Sequence, residues 1–239
     1  MVKAVSRECS VTWATARSGA QPFTDRYSAR VSSPAESRQE RKLRTRQAIL
    51  DAALEIADEE SLATVSLRQV TKQVGIVPTA FYRHFASIDE LGLALVDQSF
   101  ASLREMLRDV RRTSTELSGV IAGSVAVLVE HVHQHREHFR FIARERTSGP
   151  PVVREAIRHE LELFERELAT DLARLPNTEA WSGDDLRIMA NLIVTAMVST
   201  AEAIIAAPPN RPDVEREIVR TTVTQLRMIV VGAANWRSR

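Results

Sequence analysis

Between Ser66 and Glu90 the chain reads SLRQVTKQVGIVPTAFYRHFASIDE, and this run leaves room only for short helices. Ser66 can cap a helix, with Gln69 three residues on completing a capping box. Leu67, Val70 and Val74 then recur at helical spacing. Gly75 stands where the chain must turn sharply, and glycine takes positive φ without steric cost. Pro78 has no N–H and suits the first turn of a second helix. Phe81 and Phe85, four apart, make that helix's inward edge and leave Thr79, Tyr82 and Arg83 facing outward. Ser87 with Glu90 reads as a second capping box, so the second helix stops near Phe85. Two short helices about a glycine turn, the second with a polar outer face, form a helix-turn-helix pattern, whose second helix enters the DNA major groove.

Charge supports that reading locally rather than globally. A net charge of +1 over 239 residues argues against a generally basic nucleic-acid protein. Arg38, Arg41, Lys42, Arg44 and Arg46, however, stand against the single acid Glu40 at the start of the preceding helix. Cations are unfavourable at a helix N-terminus unless an anion lies nearby, so this run is expected close to phosphates. Cys9 is the only cysteine, which rules out an intrachain disulfide and a cysteine-rich metal site and fits a reducing cytoplasm. No apolar run is expected to be long enough to cross a bilayer, and the first residues show no apolar segment of signal-peptide length.

The periodicity predicts an all-α chain of about nine helices with no strand and no internal repeat. Residues 1–37 mix Ser, Thr, Ala, Arg, Gly and Pro without period and are expected to be a disordered tail. A first helix is expected over Gln39–Glu60, and a long one from Ser87 to about Arg112. Further helices are expected over Glu116–Gln134, Glu137–Arg146, Pro151–Leu175, Asp184 or Asp185 to Ala207, and Asp213–Gly232, with prolines and glycines as punctuation. The stretch Asp185–Ala207 is apolar on nearly every side, and such a helix must be buried all round. The last helix covers one flank only, so a second subunit is expected on the remainder. Ala196, Ser199, Thr200, Ala201 and Ala203 are small enough for close approach.

The run FYRHF after a glycine turn, followed by DELGLALVD, resembles the DNA-binding domain of the TetR family of one-component bacterial regulators, over roughly Arg41 to Asp97. The resemblance implies a three-helix DNA-binding domain over 38–86 and a helical ligand-binding and dimerisation domain over 87–239, with dimerisation through the last two helices. Together with the residue pattern it places Arg41, Lys42, Arg44, Arg46, Ser66, Arg68, Val77, Pro78, Thr79, Ala80, Tyr82, Arg83 and His84 at DNA. Two positions depart from the family pattern. Val77 stands where a small capping residue is common, and Ile88 where a phosphate-touching lysine often occurs.

Other chemistry finds little support. His131, His135 and His138 could share a helix face and hold zinc, but a helix end attracts histidines anyway and no carboxylate is evidently paired to orient the rings. There is no phosphate-cradling glycine loop and no nucleophile elbow, so no enzyme activity, metal or cofactor is expected. A cavity between the C-terminal helices is expected, lined by Phe100, Leu103, Leu107, Val125, Leu128, Phe139, Ile142, Leu161, Phe164, Met189, Leu192 and Ile193.

A narrower resemblance bears on its occupant. PTAFYRHF, DELGLALVD and FRFIARERTSG together resemble TetR-family regulators of fatty-acid synthesis genes. That likeness implies a long-chain acyl effector carried on coenzyme A or acyl carrier protein, with Arg140, Arg144 and Arg146 meeting the carrier's phosphates. The expectation is thus a cytoplasmic homodimer, repressor or activator, on a near-palindromic promoter site. A drug or xenobiotic sensor and a helical lipid-binding protein without DNA binding stand as alternatives.

Overall fold

The structure, a computed structural model, describes residues 37–113, 117–174, 178 and 181–237, with the side chains of 102, 105–113, 117–120 and 234 outside that description. The expected tail at 1–37 therefore lies outside it, apart from Ser37. The described residues form nine helices and no strand: α1 Arg38–Glu59, α2 Leu67–Val74, α3 Pro78–Phe81, α4 Ile88–Thr113, α5 Leu117–Gln134, α6 Arg136–Ser148, α7 Pro151–Leu172, α8 Gly183–Ala206 and α9 Pro212–Ala234.

Local chemistry sets the ends of the short elements. Ser66 accepts from the Gln69 N–H while the Gln69 side chain accepts from Ser66 N–H, so the predicted capping box starts α2. Gly75 ends α2 in the left-handed region at φ 74°. At α4, Ser87 accepts from the Glu90 N–H, but the Glu90 carboxylate reaches the Ala86 N–H rather than that of Ser87. The predicted second box is thus half formed, with its acid bonded one residue further back. Ser182, which the sequence reading passed over, caps α8 by accepting from the Asp185 N–H.

One apolar cluster anchors the first four helices to α6 and α7. Ile49, Leu50, Ala53, Leu54 and Ala57 of α1 meet Val70 of α2, Phe81 and Phe85 around α3, Leu91, Leu95, Val96 and Phe100 of α4, Phe141 and Ile142 of α6, and Val153, Ile157 and Phe164 of α7. The cluster runs without a break across residues 86 and 87, where the two functional regions were expected to divide.

Helix α6 grips the end of α1 and the loop that follows it. Arg140 makes two bonds to the Asp58 carboxylate, at 2.9 and 2.7 Å, and Arg144 donates to the Ala57 carbonyl at 3.1 Å. Glu145 is fully buried and accepts from the Leu62 N–H at 3.2 Å and from the Ser61 hydroxyl at 3.1 Å. Gly149 closes the corner: a Cβ there would stand 2.6 Å from both the Glu145 carbonyl and its carboxylate.

The second half of the bundle leaves α8 incompletely covered. Leu186, Met189, Ala190, Thr200, Ala201 and Ile204 are buried, but Ile188 and Leu192 are 59% and 51% exposed. On α9, Met228 and Val231 are 68% and 65% exposed. The Thr200 and Thr222 hydroxyls bond at 2.7 Å and tie α8 to α9 within the chain. Thr200 and Ala201 therefore face this chain's own core rather than the outer surface where close approach was expected. Helix α8 is long and apolar enough to cross a membrane by length and composition alone, which corrects the expectation that no such run exists. Here it packs against α5, α6, α7 and α9.

Burial pushes the Glu145 carboxyl above its usual range, against the opposing pull of the Leu62 N–H, the Ser61 hydroxyl and Arg144. A raised carboxyl pKa favours the fold while the group is protonated, and that contribution is lost as pH rises from the unfolded value toward the folded one. The stability difference between wild type and Glu145→Gln should accordingly decline with pH across that window, as read from urea titrations at stepped pH. Gly149→Ala should cost about 1–3 kcal/mol by overpacking, measured in the same titrations; an unchanged midpoint would show that the corner has slack.

Candidate nucleic-acid interface

The exposed turn around α3 is built on two buried rings. Phe81 and Phe85 are 0% and 1% exposed with ring centroids 5.8 Å apart, and they pin the turn to the core below. Helix geometry lasts only four residues. Arg83 N–H and His84 N–H then bond three residues back, to Ala80 and Phe81, before Phe85 N–H closes on Phe81. The predicted second helix is thus one α-turn that tightens toward Phe85. At its start, Val77 occupies the N-cap and makes no side-chain bond.

What projects outward matches the sequence pattern. Val77, Pro78, Thr79, Tyr82 and Arg83 are exposed, whereas Ala80 and His84 are half-buried. Tyr82 packs edge-on to Phe81 with centroids 5.8 Å apart, which orients a ring that is otherwise 58% exposed. The His84 Nδ1 is buried without a hydrogen-bond partner. Burial first, then Lys42, Arg46 and Arg83, hold the His84 imidazole below its usual pKa, so it is neutral at physiological pH.

The basic residues of α1 divide into two groups. Arg41, Lys42 and Arg44 are exposed on its first turns, and Arg68 is exposed on α2. Arg46 differs. Its guanidinium lies 4.2 Å from the Phe85 ring centroid and donates to the His84 carbonyl at 2.9 Å. Arg46, also expected at DNA, uses its planar head to hold the end of the α3 turn. Ser66 is exposed, but its hydroxyl is engaged in capping α2.

The histidine-rich segment gathers no metal site, and no group of three or more ligating side chains occurs among the described residues. His138 Nδ1 meets Ser99 Oγ at 2.9 Å, His131 Nδ1 lies 3.3 Å from the Val127 carbonyl, and His133 pairs with Glu215 at 3.0 Å.

The residues expected around one effector cavity do not converge. Phe100, Ile142, Phe164 and Leu161 belong with the main cluster, and Leu103 packs against both it and a second one. Leu128 and Phe139 sit in a second cluster, Met189 in a third and Val125 in a fourth, with Ile193 between the last two. Leu192 is exposed and bounds no interior space. The side chain of Leu107 lies outside the described residues. Arg140 and Arg144 hold α1, as described above, so they do not aim into a cavity.

The structure instead opens a groove of about 340 Å³ between α7 and α8, lined by Arg158, Leu161, Glu162 and Glu165 of α7, Asn191, Val194, Thr195, Val198 and Ser199 of α8, and Arg146 of α6. Of these, Leu161 and Arg146 were expected at a ligand and Ser199 at a close helix contact. Arg158, Glu162 and Glu165 sit at polar positions of α7 that look like a solvated face until the two helices are laid together.

Comparison with known proteins bears on this arrangement. Residues 49–95 match the family model described as bacterial regulatory proteins, tetR family, which spans the latter half of α1, both short helices and the start of α4. Residues 117–230 match the model of the tetracyclin repressor-like C-terminal domain. The chain belongs to the TetR family. Its members are transcriptional regulators that bind DNA and dimerise.

Solved structures share this TetR fold at low identity. A transcriptional regulator from Rhodococcus sp. RHA1 aligns at 20% identity and TM-score 0.60, covering 79% of this chain and 97% of that one. A TetR-family transcriptional regulator from Streptomyces coelicolor aligns at 18% identity and TM-score 0.60, covering 80% and 96%. The fatty acid degradation regulator FadR from Bacillus halodurans aligns at 12% identity and TM-score 0.60, covering 82% and 97%.

The two groups of basic residues should separate in a salt titration. Replacing Arg41 and Lys42 by alanine should flatten the slope of log DNA affinity against log salt by about two units. Arg46→Ala should instead lower stability by about 1–2 kcal/mol, through the lost charged hydrogen bond and ring contact, and leave the slope nearly unchanged. A full unit of slope lost in Arg46→Ala would return that residue to the phosphate backbone.

Proposed function

We propose that this protein is a cytoplasmic, homodimeric transcription regulator of lipid-metabolism genes, whose hold on a near-palindromic promoter site is set by a fatty-acyl ligand. The observation that carries the DNA reading is the α3 turn, with Thr79, Tyr82 and Arg83 outward over two buried phenylalanines and a basic helix alongside. The exposed apolar residues Ile188 and Leu192 on α8 and Met228 and Val231 on α9 support a two-fold contact between copies. Such a dimer would set two α3 turns into successive major grooves, about 34–36 Å apart.

The ligand reading rests on the α7–α8 groove. Leu161, Val194 and Val198 supply apolar wall, and Arg146 and Arg158 stand at its margin. Arg146 pairs with Glu202 at 2.8 Å, and Arg158 pairs with Glu155, so an anionic head group would compete with surface carboxylates for them. The groove volume falls in the range of small-molecule sites, roughly 300–1,000 Å³. The sequence likeness to fatty-acid regulators supports the acyl class, and one structure of similar fold is a fatty acid degradation regulator. Arg146 abuts Glu145, whose carboxylate holds the loop after α1, which gives a ligand at Arg146 a short route to the DNA-facing helices.

Titrating acyl coenzyme A of increasing chain length into a protein–promoter complex tests the ligand class. DNA affinity should shift by a factor that grows with chain length until the groove is full, and Val198→Trp should shorten the best chain. By linkage, DNA must alter acyl affinity by the same factor. No shift at any length, with a shift on adding an aromatic drug, would replace the acyl reading by that of a xenobiotic sensor. Separately, Leu192→Glu should convert the dimer to monomer in sedimentation velocity; an unchanged dimer would place the contact elsewhere.

A further inference from the structure

Direct reading of bases needs side chains that match base edges. Asn or Gln suits adenine, Asp or Glu suits cytosine, Arg or Lys suits guanine, and an apolar group suits the thymine methyl. The segment Ile76–Ala86 contains no Asn, Gln, Asp or Glu. The two glutamines of α2 are already engaged. Gln69 bonds Ser66 through its oxygen and Glu60 through its nitrogen, and Gln73 donates to Glu55 at 2.5 Å. The outward hydrogen-bonding groups of the α3 turn are therefore Thr79, Tyr82 and Arg83, beside the half-buried His84.

Val77 stands apart from these. It is 63% exposed at the first position of the turn and belongs to none of the apolar clusters. It fills a capping position without capping, so the fold gains nothing local from its isopropyl group. Pro78 fixes the chain immediately after it, and the backbone there is extended at φ −78° and ψ 148°. The surroundings are cationic, with Arg68 and Lys72 exposed on α2 and Arg83 exposed just after α3, which suits a polyanion rather than an apolar protein partner.

We propose that Val77 is a specificity-determining residue that reads the 5-methyl group of one thymine in each half-site. This rests on the DNA-binding reading above and adds to it the base class that the start of α3 selects. The contact is one of shape and desolvation: two methyl groups of Val77 cover the one methyl that distinguishes thymine from uracil. It gives no hydrogen bond, and so discriminates by the modest factor that burying a single methyl supplies.

The test begins with selection of tight-binding duplexes from a random pool by the full-length protein. Thymines of the enriched site are then replaced one at a time by deoxyuridine, which removes only the methyl. Wild type should lose affinity about fourfold at one thymine per half-site, the partition expected of one buried methyl. Val77→Ala should bind the thymine and uracil duplexes equally, and Thr79→Ser should keep the wild-type difference. Equal binding of every uracil-substituted duplex by wild type would overturn the proposal. So would a Thr79→Ser variant that loses the difference while Val77→Ala keeps it. Failure to enrich any DNA would instead remove the DNA-binding reading, and this proposal with it.

Discussion

Two phenylalanine rings hold the functional end of this molecule in place. A four-residue helix has no stability of its own, because its nucleation cost is not recovered by later hydrogen bonds. The α3 turn thus has its shape only because Phe81 and Phe85 are sunk into a core shared by α1, α2 and α4. Arg46 completes the arrangement by bridging α1 to the end of the turn, with its charge over the Phe85 ring and its N–H on the His84 carbonyl. Most of the geometry offered to DNA therefore comes from packing. It follows that core mutations beneath the turn can impair DNA binding without touching any residue that meets DNA.

The fold was legible where local chemistry is decisive. A capping serine, a left-handed glycine, a proline at the first helical position and an apolar stripe all act within a few residues, and they placed each of the nine described helices to within a few positions. The recognition turn was less legible in length. Its apolar spacing continues to Phe85, but the hydrogen bonding tightens early, at Arg83 and His84. The nearly all-apolar sequence of α8 predicted burial on every side, whereas its own chain covers only part of it and leaves Ile188 and Leu192 exposed.

The ligand site was the least legible part. Periodicity identifies apolar residues that point inward, and Phe100, Ile142 and Phe164 do so. It cannot distinguish a filled interior from a hollow one, since the same residues serve either. The groove between α7 and α8 is framed by positions such as Glu165 and Asn191, bonded to each other at 2.9 Å across the two helices, and neither signals a site when read along its own helix. Arg140 and Arg144 misled for a related reason. An arginine near an apolar stripe looks like a ligand anchor, whereas their partners Asp58 and Ala57 lie some eighty positions earlier in the chain.

The corner formed by Ser61, Glu145 and Gly149 carries a consequence for how such a sequence can drift over generations. The buried carboxylate needs the donors at Ser61 and Leu62, and it occupies the space a side chain at Gly149 would claim. A change at Ser61 takes one donor from the carboxylate, a change at Glu145 leaves the Leu62 N–H without its acceptor, and a side chain at Gly149 has no room. Descendants of this gene should therefore keep Ser61, Glu145 and Gly149 together or exchange them together, whereas the surface positions around them vary independently.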